Sequence, residues 1–368
     1  MSISLVNVFN GTDDIATWGA AGRIPAAACE PDGSIIVVAS ECRLGHSGDI
    51  TKGNNTKIGL KRSTDGGVTW GAVIYAIDLW SGGDASGDPC MARDGAGRYW
   101  IFATSTVGLS NGQSPFAMRT PIVYTYSDDK GVTWAPVQQM TPITDMVVNV
   151  VSSGTGFYDA VSDTTVIPMY GTVGSIYQPR ALYKVGDGGW TYGSIVPADI
   201  AQGESRIIKD GDYWYCLTRT TDPQIGRYLY RSASLDDTWE RVTDAFELND
   251  VANNLGLCVT SLGGVPAWLY TSSDYPHKLV GPVPIEPRAV RRMGKLKLSV
   301  NRGRTWSDCV RLTNEGRGVP DTTNHFGYSC VVASDDAVYC AWESANYTQI
   351  NFCRVMKSEM LAGVSIAI

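Results

Sequence analysis

The chain has 368 residues, of which 43% are hydrophobic and 18% charged, enough to build a core and too apolar for a disordered polypeptide. A formal net charge of −7 argues against non-specific binding to nucleic acid or to acidic membranes, although a local arginine cluster can still hold an anionic small molecule. The 40 Gly, 18 Tyr and 11 Trp suit many short strands joined by tight turns.

Nine cysteines, an odd number without a Cys-x-x-Cys, lie partly in apolar runs such as "WYCLT" and "VYCAW". They read as buried free thiols formed in a reducing compartment. The N-terminus "MSISLVNVFNGTDD" has no basic stretch leading into an apolar one, so no signal peptide is visible, and no apolar run reaches transmembrane length. The expectation is a cytoplasmic or phage-borne protein, with secretion left open for a trimmed chain. The tail "MLAGVSIAI" is expected to be a closing strand or an oligomer contact. Three scattered histidines (46, 277 and 325), no ligand spacing among the cysteines and no phosphate-binding glycine loop lead us to expect neither metal nor cofactor. Oligomeric state cannot be read from the chain.

In chain order, six segments read as strand, tight turn, strand: "AAACEPDGSIIVVAS", "MARDGAGRYWIFATS", "FYDAVSDTTVIPMYGT", "RIIKDGDYWYCLTRT", "VTSLGGVPAWLYTSS" and "SCVVASDDAVYCAWES". Their turns fall near Asp32, Asp94, Asp163, Asp210, Gly263 and Asp335. Asp-Gly and Gly-Gly tolerate positive φ at hairpin turns, and the Val, Ile, Tyr and Trp around them favour strands. Six hairpin-centred units of about 60 residues predict an all-β, six-bladed propeller occupying 1–368 as one domain. A sandwich would leave six similar units unexplained, and a β-helix needs shorter repeats.

A second pattern recurs in "STDGGVTW" (Ser63 to Trp70), "SDDKGVTW" (Ser127 to Trp134) and "SVNRGRTW" (Ser299 to Trp306). Degraded copies are "GDGGW" (Gly186 to Trp190) and "SASLDDTW" (Ser232 to Trp239). The Asp can bond the amides of its own turn, the Gly allows a left-handed residue and the Trp packs between sheets. Asn301 of the third copy can make similar side-chain bonds. The pattern is a turn staple rather than a catalytic motif, and on its own it marks a fold without a function.

Ahead of the first hairpin, "GRIPAAA" sends Arg23 into an apolar run, which is costly without an anionic partner. Arg-Ile-Pro followed by these boxes resembles the bacterial-type sialidase (neuraminidase) family of Asp-box exo-glycosidases, and the resemblance runs from Arg23 to about Arg354. It implies that Arg23 is one of three arginines that clamp a substrate carboxylate. In "RLGHSGD", it implies a second substrate-binding Arg43 and, six residues on, Asp49 as acid/base; His46 in this loop is a further candidate for substrate contact. Asp88 of "SGDPC" falls at the family's Asp-Pro or Asn-Pro step near the sugar's O4 and N-acetyl group; a plain turn initiator is the competing reading. In "GESRIIKDGDYWYCLTR", Glu204 is implied as the base for the nucleophile and Arg219 as the next clamp member. Counting seven back from Ser299 gives Arg292 as the third, with Arg291 its rival. Tyr328 of "GYSC" is implied as nucleophile, and Glu343 as the carboxylate that holds Arg23. Trp80, Met91 and Met118 are candidates for the apolar pocket of the N-acetyl group.

The residue types fit that chemistry. A sialic acid carries a carboxylate on its anomeric carbon, and each charge-assisted bond from an arginine contributes about 1.5–3 kcal/mol. A carboxylate nucleophile would be repelled by the substrate, whereas a tyrosine relieved of its proton by a glutamate is not. The expected activity is that of a retaining exo-α-sialidase, a glycoside hydrolase acting on sialylated glycans. The alternatives are a hydrolase for a related nonulosonic acid, such as pseudaminic or legionaminic acid, and a non-catalytic glycan-binding propeller. A trans-sialidase differs only in acceptor binding.

Overall fold

The computed structural model of the protein describes residues 5–10, 21–46, 48–141, 143–220, 227–243, 248, 253–273, 291, 293–313 and 325–363. Each hairpin read from the sequence opens one of six sheets, and the sheets are the blades of a β-propeller. From the inner strand outward, blade I is Ala21–Cys29, Ile36–Arg43, Thr56–Ser63 and Ile74–Ile77. Blade II is Ser86–Arg93, Tyr99–Ser105, Ile122–Ser127 and Gln138–Gln139, with Gly154–Thr155 added in parallel to its inner edge. Blade III has an interrupted inner strand, Val150–Val151 and Phe157–Asp159, followed by Thr164–Val173, Ile176–Val185 and Thr191–Ile195. Blade IV is Gln202–Asp210, Tyr213–Thr220, Arg227–Ser232 and Glu240–Arg241. Blade V is Leu257–Leu262, Val265–Ser273, Gly294–Ser299 and Ser307–Arg311. Blade VI is Ser329–Ala333, Ala337–Ser344, Gln349–Met356 and, outermost, Leu5–Asn10.

Burial explains the sequence pattern strand by strand. The second strands Ile36–Arg43, Tyr99–Ser105 and Ala337–Ser344 are buried along their whole length. Each is covered on both faces by neighbouring blades, so it reads as a continuous apolar run rather than an alternation. The seam between blades VI and I, for example, packs Val38 and Cys42 with Tyr339 and Phe352. The inner strands contact one another in turn, and Ser329–Ala333 returns to touch Ala21–Cys29, so the ring is closed. Closure within blade VI comes from the N-terminal strand Leu5–Asn10, which pairs antiparallel with Gln349–Met356. The described start of the tail is a helix rather than the expected closing strand, and residues 364–368 lie outside the described residues. Lys357–Gly363 forms a helix, with Met360 buried in the core of blades IV to VI.

The boxes are staples, as their residue types require. Asp65 accepts from the Thr69 amide at 2.9 Å, the Val68 amide at 3.0 Å and the Thr69 hydroxyl at 2.5 Å, while the Gly67 amide donates to Ser63 Oγ at 2.9 Å. Asp129 repeats these bonds in blade II. In blade V, Asn301 Oδ1 accepts from the Thr305 amide at 2.9 Å, and its Nδ2 donates to Thr305 Oγ1 at 2.8 Å. Gly67 has φ +90°, and a Cβ there would lie 2.3 Å from the Phe352 ring, so only glycine fits. In blade I the box follows Ser63, which pairs with Ile36, whereas Arg43 pairs with Thr56 at the other end of the same strands. Seven residue steps, about 24 Å at the usual strand rise, separate the staple from the end of the blade where Arg43 stands.

Among the described residues no helix is long and apolar enough to cross a membrane. The nine cysteines are free thiols, seven of them buried.

Candidate active site

The inner strands are broken where the candidate residues stand. Pairing shifts register between Arg23 and Ala26 in blade I, between Gly87 and Cys90 in blade II, and between Gln202 and Ser205 in blade IV. Each bulge bends its strand and re-aims a side chain toward the axis. The first two share a device. Ile24 (φ +58°) and Asp88 (φ +51°) are left-handed residues immediately before a proline. Such a conformation costs about 1–3 kcal/mol and persists only when its surroundings hold it. In both cases a buried glutamate on the second strand of the preceding blade captures the strained amide. Glu343 of blade VI accepts from the Ile24 amide at 2.9 Å, and Glu41 of blade I accepts from the Asp88 amide at 2.7 Å.

The same two glutamates orient arginines. Glu343 accepts from Arg23 Nε at 3.0 Å, and its second oxygen takes the Tyr328 amide at 3.0 Å. Gly327 must be glycine for this contact, since a Cβ there would lie 2.2 Å from Glu343 Oε2. Glu41 accepts from Arg43 Nε at 2.9 Å and lies 2.7 Å from its Nη2. Both glutamates are fully buried, so each depends on its cation and its amide bonds.

These groups converge on one cavity of about 580 Å³ at the axis. Arg23, Arg43, Arg219 and Arg291 line it, together with Asp49, Asp88, Glu204, Tyr328 and Tyr347. Ile24, Ile50, Phe116 and Tyr170 supply an apolar wall. All six blades contribute. Arg219 is ion-paired with Glu204, and its Nη1 donates to the Tyr328 hydroxyl at 2.8 Å. The Arg291 guanidinium lies 5.0 Å from the centre of the Tyr328 ring, and its Nη1 donates to Tyr347 Oη at 3.1 Å. Arg23 stacks on the Tyr347 ring at 4.5 Å. At the mouth, the mostly exposed Asp49 carboxylate accepts from Arg23 at 3.3 Å and from Arg43 at 3.2 Å.

Electrostatics follow from this packing. Burial pushes the Tyr328 phenol above its ordinary value and Glu204 adds to that, while the cations Arg219 and Arg291 pull it down. Burial would also raise Glu343, but Arg23 and Arg291 outweigh it and hold that carboxyl below the ordinary value. Asp88 goes the other way. Burial, then the charges of Glu41, Glu204 and Asp49, push it well above the carboxylate range, with only Arg43 opposing. One of its oxygens, Oδ2, is buried without a protein partner.

The structure thus gathers Arg23, Arg43, Asp49, Asp88, Glu204, Arg219 and Tyr328 around one cavity, with Glu343 directly behind Arg23. Arg292 lies outside the described residues; the arginine that lines the cavity at this point of the chain is its rival, Arg291. The apolar candidates do not line it. Met91 is fully buried in the seam between blades I and II, and Trp80 and Met118 are over a third exposed elsewhere. His46 turns to Thr56, with its Nε2 at 3.0 Å from the hydroxyl. Residues the sequence reading missed are Glu41, Tyr347, Phe116 and Tyr170. Glu41 had a signal, since an acid two residues before Arg43 inside an apolar strand needs a buried cation. Among the described residues no cluster of His, Cys, Asp and Glu is arranged to hold a metal ion.

The BNR repeat-like domain family matches residues 46–340. A sialidase of Bacteroides fragilis is 25% identical over 336 residues, covering 86% of this chain and 58% of that protein. The chain therefore spans less than two thirds of that relative's length. The Hadza microbial sialidase Hz136 superposes with a TM-score of 0.79 at 20% identity, over 98% of this chain and 69% of the other. A Trypanosoma rangeli sialidase superposes with a TM-score of 0.75 at 17% identity, over 98% of this chain and 60% of the other. At these identities the likeness to solved structures speaks for the fold, while the domain match carries the family. The chain belongs to the BNR repeat-like domain family, and its six-bladed β-propeller fold is shared with the sialidases on which it superposes.

Proposed function

We propose that the chain is one catalytic domain, an exo-acting glycoside hydrolase that removes terminal α-linked sialic acid, or a closely related nonulosonic acid, from glycans with retention of configuration. The observation that carries this reading is the convergence of Arg23, Arg219 and Arg291 with a buried tyrosine–glutamate pair in one cavity. A clamp of guanidinium groups suits a planar carboxylate, which can accept paired charge-assisted bonds. A phenol is the nucleophile that such an anion does not repel.

In the first step Glu204 takes the Tyr328 proton, and the phenolate oxygen bonds to the anomeric carbon. The glycosidic C–O bond breaks, and Asp49 protonates the departing oxygen. In the second step Asp49 takes a proton from water, whose oxygen bonds to the anomeric carbon. The Tyr328 C–O bond breaks and Glu204 returns the proton to the phenol. Arg219 and Arg291 offset the charge that develops on the phenolate. Asp49 accepts bonds from Arg23 and Arg43, so a substrate carboxylate that claims Arg23 frees it to turn toward the leaving oxygen.

The test is release of a fluorogenic leaving group from the α-glycoside of N-acetylneuraminic acid, with glycosides of pseudaminic, legionaminic and deaminated sialic acids in parallel. Turnover of any of them, lost in Tyr328→Phe with the fold retained, supports the reading. Inactivity on all of them sinks it in favour of a glycan-binding propeller.

A further inference from the structure

Blade VI brings a second tyrosine to the cavity, one that the proposed chemistry does not use. Its second and third strands stay paired as far as Ser344 and Gln349, and residues 345–348 join them at the end where Glu343 stands. Tyr347 of this short loop lines the cavity. The loop is strained. Ala345 (φ +46°) and Tyr347 (φ +68°) are both left-handed without being glycine, a conformation that persists only where the surroundings over-determine it. Here the Thr348 hydroxyl donates to Ala345 O at 2.7 Å, and the buried His325 meets the Tyr347 ring edge-on with centroids 4.4 Å apart.

The strained loop places one side chain against two arginines. The Arg23 guanidinium lies 4.5 Å from the centre of the Tyr347 ring, a cation–π distance, while Glu343, four residues earlier, holds Arg23 Nε at 3.0 Å. One hairpin therefore grips Arg23 by its face and by its edge. The Tyr347 hydroxyl accepts from Arg291 Nη1 at 3.1 Å. The Tyr328 ring also neighbours both cations, at 5.8 Å from Arg23 and 5.0 Å from Arg291. In the proposed steps, however, Tyr328 loses its proton and takes up the sugar, whereas Tyr347 is unchanged throughout. A carboxylate in the place of Tyr347 could hold both arginines too, but its charge would compete with a substrate carboxylate for them. A phenol offers a ring face and an acceptor oxygen without that charge.

We propose that Tyr347 is a positioning residue that ties Arg23 to Arg291 and fixes them for a carboxylate without cancelling their charge. The proposal rests on the reading of Arg23 and Arg291 as clamp members and gives Tyr347 no part in bond making.

A mutant cycle read by binding of 2-deoxy-2,3-didehydro-N-acetylneuraminic acid tests it, beside ligand-free crystal structures of the wild type and Tyr347→Phe. Tyr347→Phe keeps the ring over Arg23 and removes the acceptor for Arg291. It should bind the acid about 10-fold more weakly, and Tyr347→Leu, which removes the ring as well, about 100-fold more weakly. The loss from Tyr347→Phe should vanish in the Arg291→Ala background, because the hydroxyl acts through that arginine; a merely structural role would persist there. In the crystals the Arg291 guanidinium should leave its wild-type position in Tyr347→Phe. Wild-type affinity in Tyr347→Phe, or a loss of equal size in the Arg291→Ala background, overturns the proposal. If the wild type does not bind the acid, the crystals decide: Arg291 unmoved in Tyr347→Phe overturns the positioning role, and Arg291 displaced upholds it while the functional reading answers to its own assay.

Discussion

Arg219 Nη1 donates to the Tyr328 hydroxyl at 2.8 Å while the same nitrogen is ion-paired with Glu204. In the proposed mechanism, one cation therefore holds the base against the phenol and favours the phenolate once the proton has moved. Blade IV supplies base and cation from paired strands, blade VI supplies the phenol, and the inner ring brings them together.

Removing the carboxylate behind Arg23 should damage both stability and binding. Glu343 is fully buried and serves Arg23, Ile24 and Tyr328 at once. Glu343→Ala should cost about 3–5 kcal/mol in urea unfolding, the usual penalty for breaking a buried pair, and should raise KM. A loss below about 1 kcal/mol, the scale of a surface pair, would show that Arg23 needs no such anchor.

Asp88 should act as a neutral acid. Its folded value is raised above the unfolded value of about 3.9, so the native state holds the proton more tightly. Its contribution to stability is then fully present below about pH 4 and is lost as pH rises through the folded value. Asp88→Asn, which mimics the protonated form, should melt higher than the wild type at neutral pH, with the gap closing toward pH 4. It should also keep most of the activity. A variant that melts lower at neutral pH, or loses activity as severely as Asp88→Ala, would mean that the carboxylate is ionised.

The Asp-box should behave as a staple. Hydrogen bonds from the Thr69 hydroxyl and amide, then from Ser63, hold the Asp65 carboxyl down to about 2. That stabilisation is present above the unfolded value near pH 4 and disappears as pH falls through about 2. Asp65→Ala should lower Tm by a constant amount above pH 4, less below it, with kcat/KM unchanged. A changed kcat/KM at a temperature where the variant is fully folded would give the box a part in function.

Arg291 and Arg292 separate by kinetics. Arg291→Ala should raise KM by about 10- to 150-fold, the equivalent of one charge-assisted bond. Arg292→Ala should change it by less than about threefold. The reverse order would make Arg292 the clamp member.

The fold was legible because a hairpin is a local object. Asp-Gly and Gly-Gly turns between aromatic and β-branched runs need no distant partner to be recognised, and all six lie where the pattern put them. The closing strand Leu5–Asn10 pairs with residues some 340 positions away, so nothing local announced it. The interrupted inner strand of blade III was hidden for a related reason, since Gly154–Thr155 leaves its own sheet to pair with blade II. In the site, charged residues at the ends of apolar strands stood out, and Arg23, Glu204 and Arg219 carried the reading. The count from Ser299 points to Arg292, which lies outside the described residues, whereas its rival Arg291 lines the cavity. Phe116 and Tyr170 are ordinary aromatics in sequence, and only their placement beside the cavity distinguishes them from the core.

The central claim is that Tyr328 becomes covalently bound to the sugar. Incubation with a 2,3-difluoro sialic acid, followed by intact-mass measurement and peptide mapping, tests this directly. The account predicts one added glycosyl unit on the peptide that contains Tyr328, and none in Tyr328→Phe. An adduct on Glu204, Asp49 or Asp88, or steady turnover of the fluorogenic glycoside by Tyr328→Phe, would contradict it.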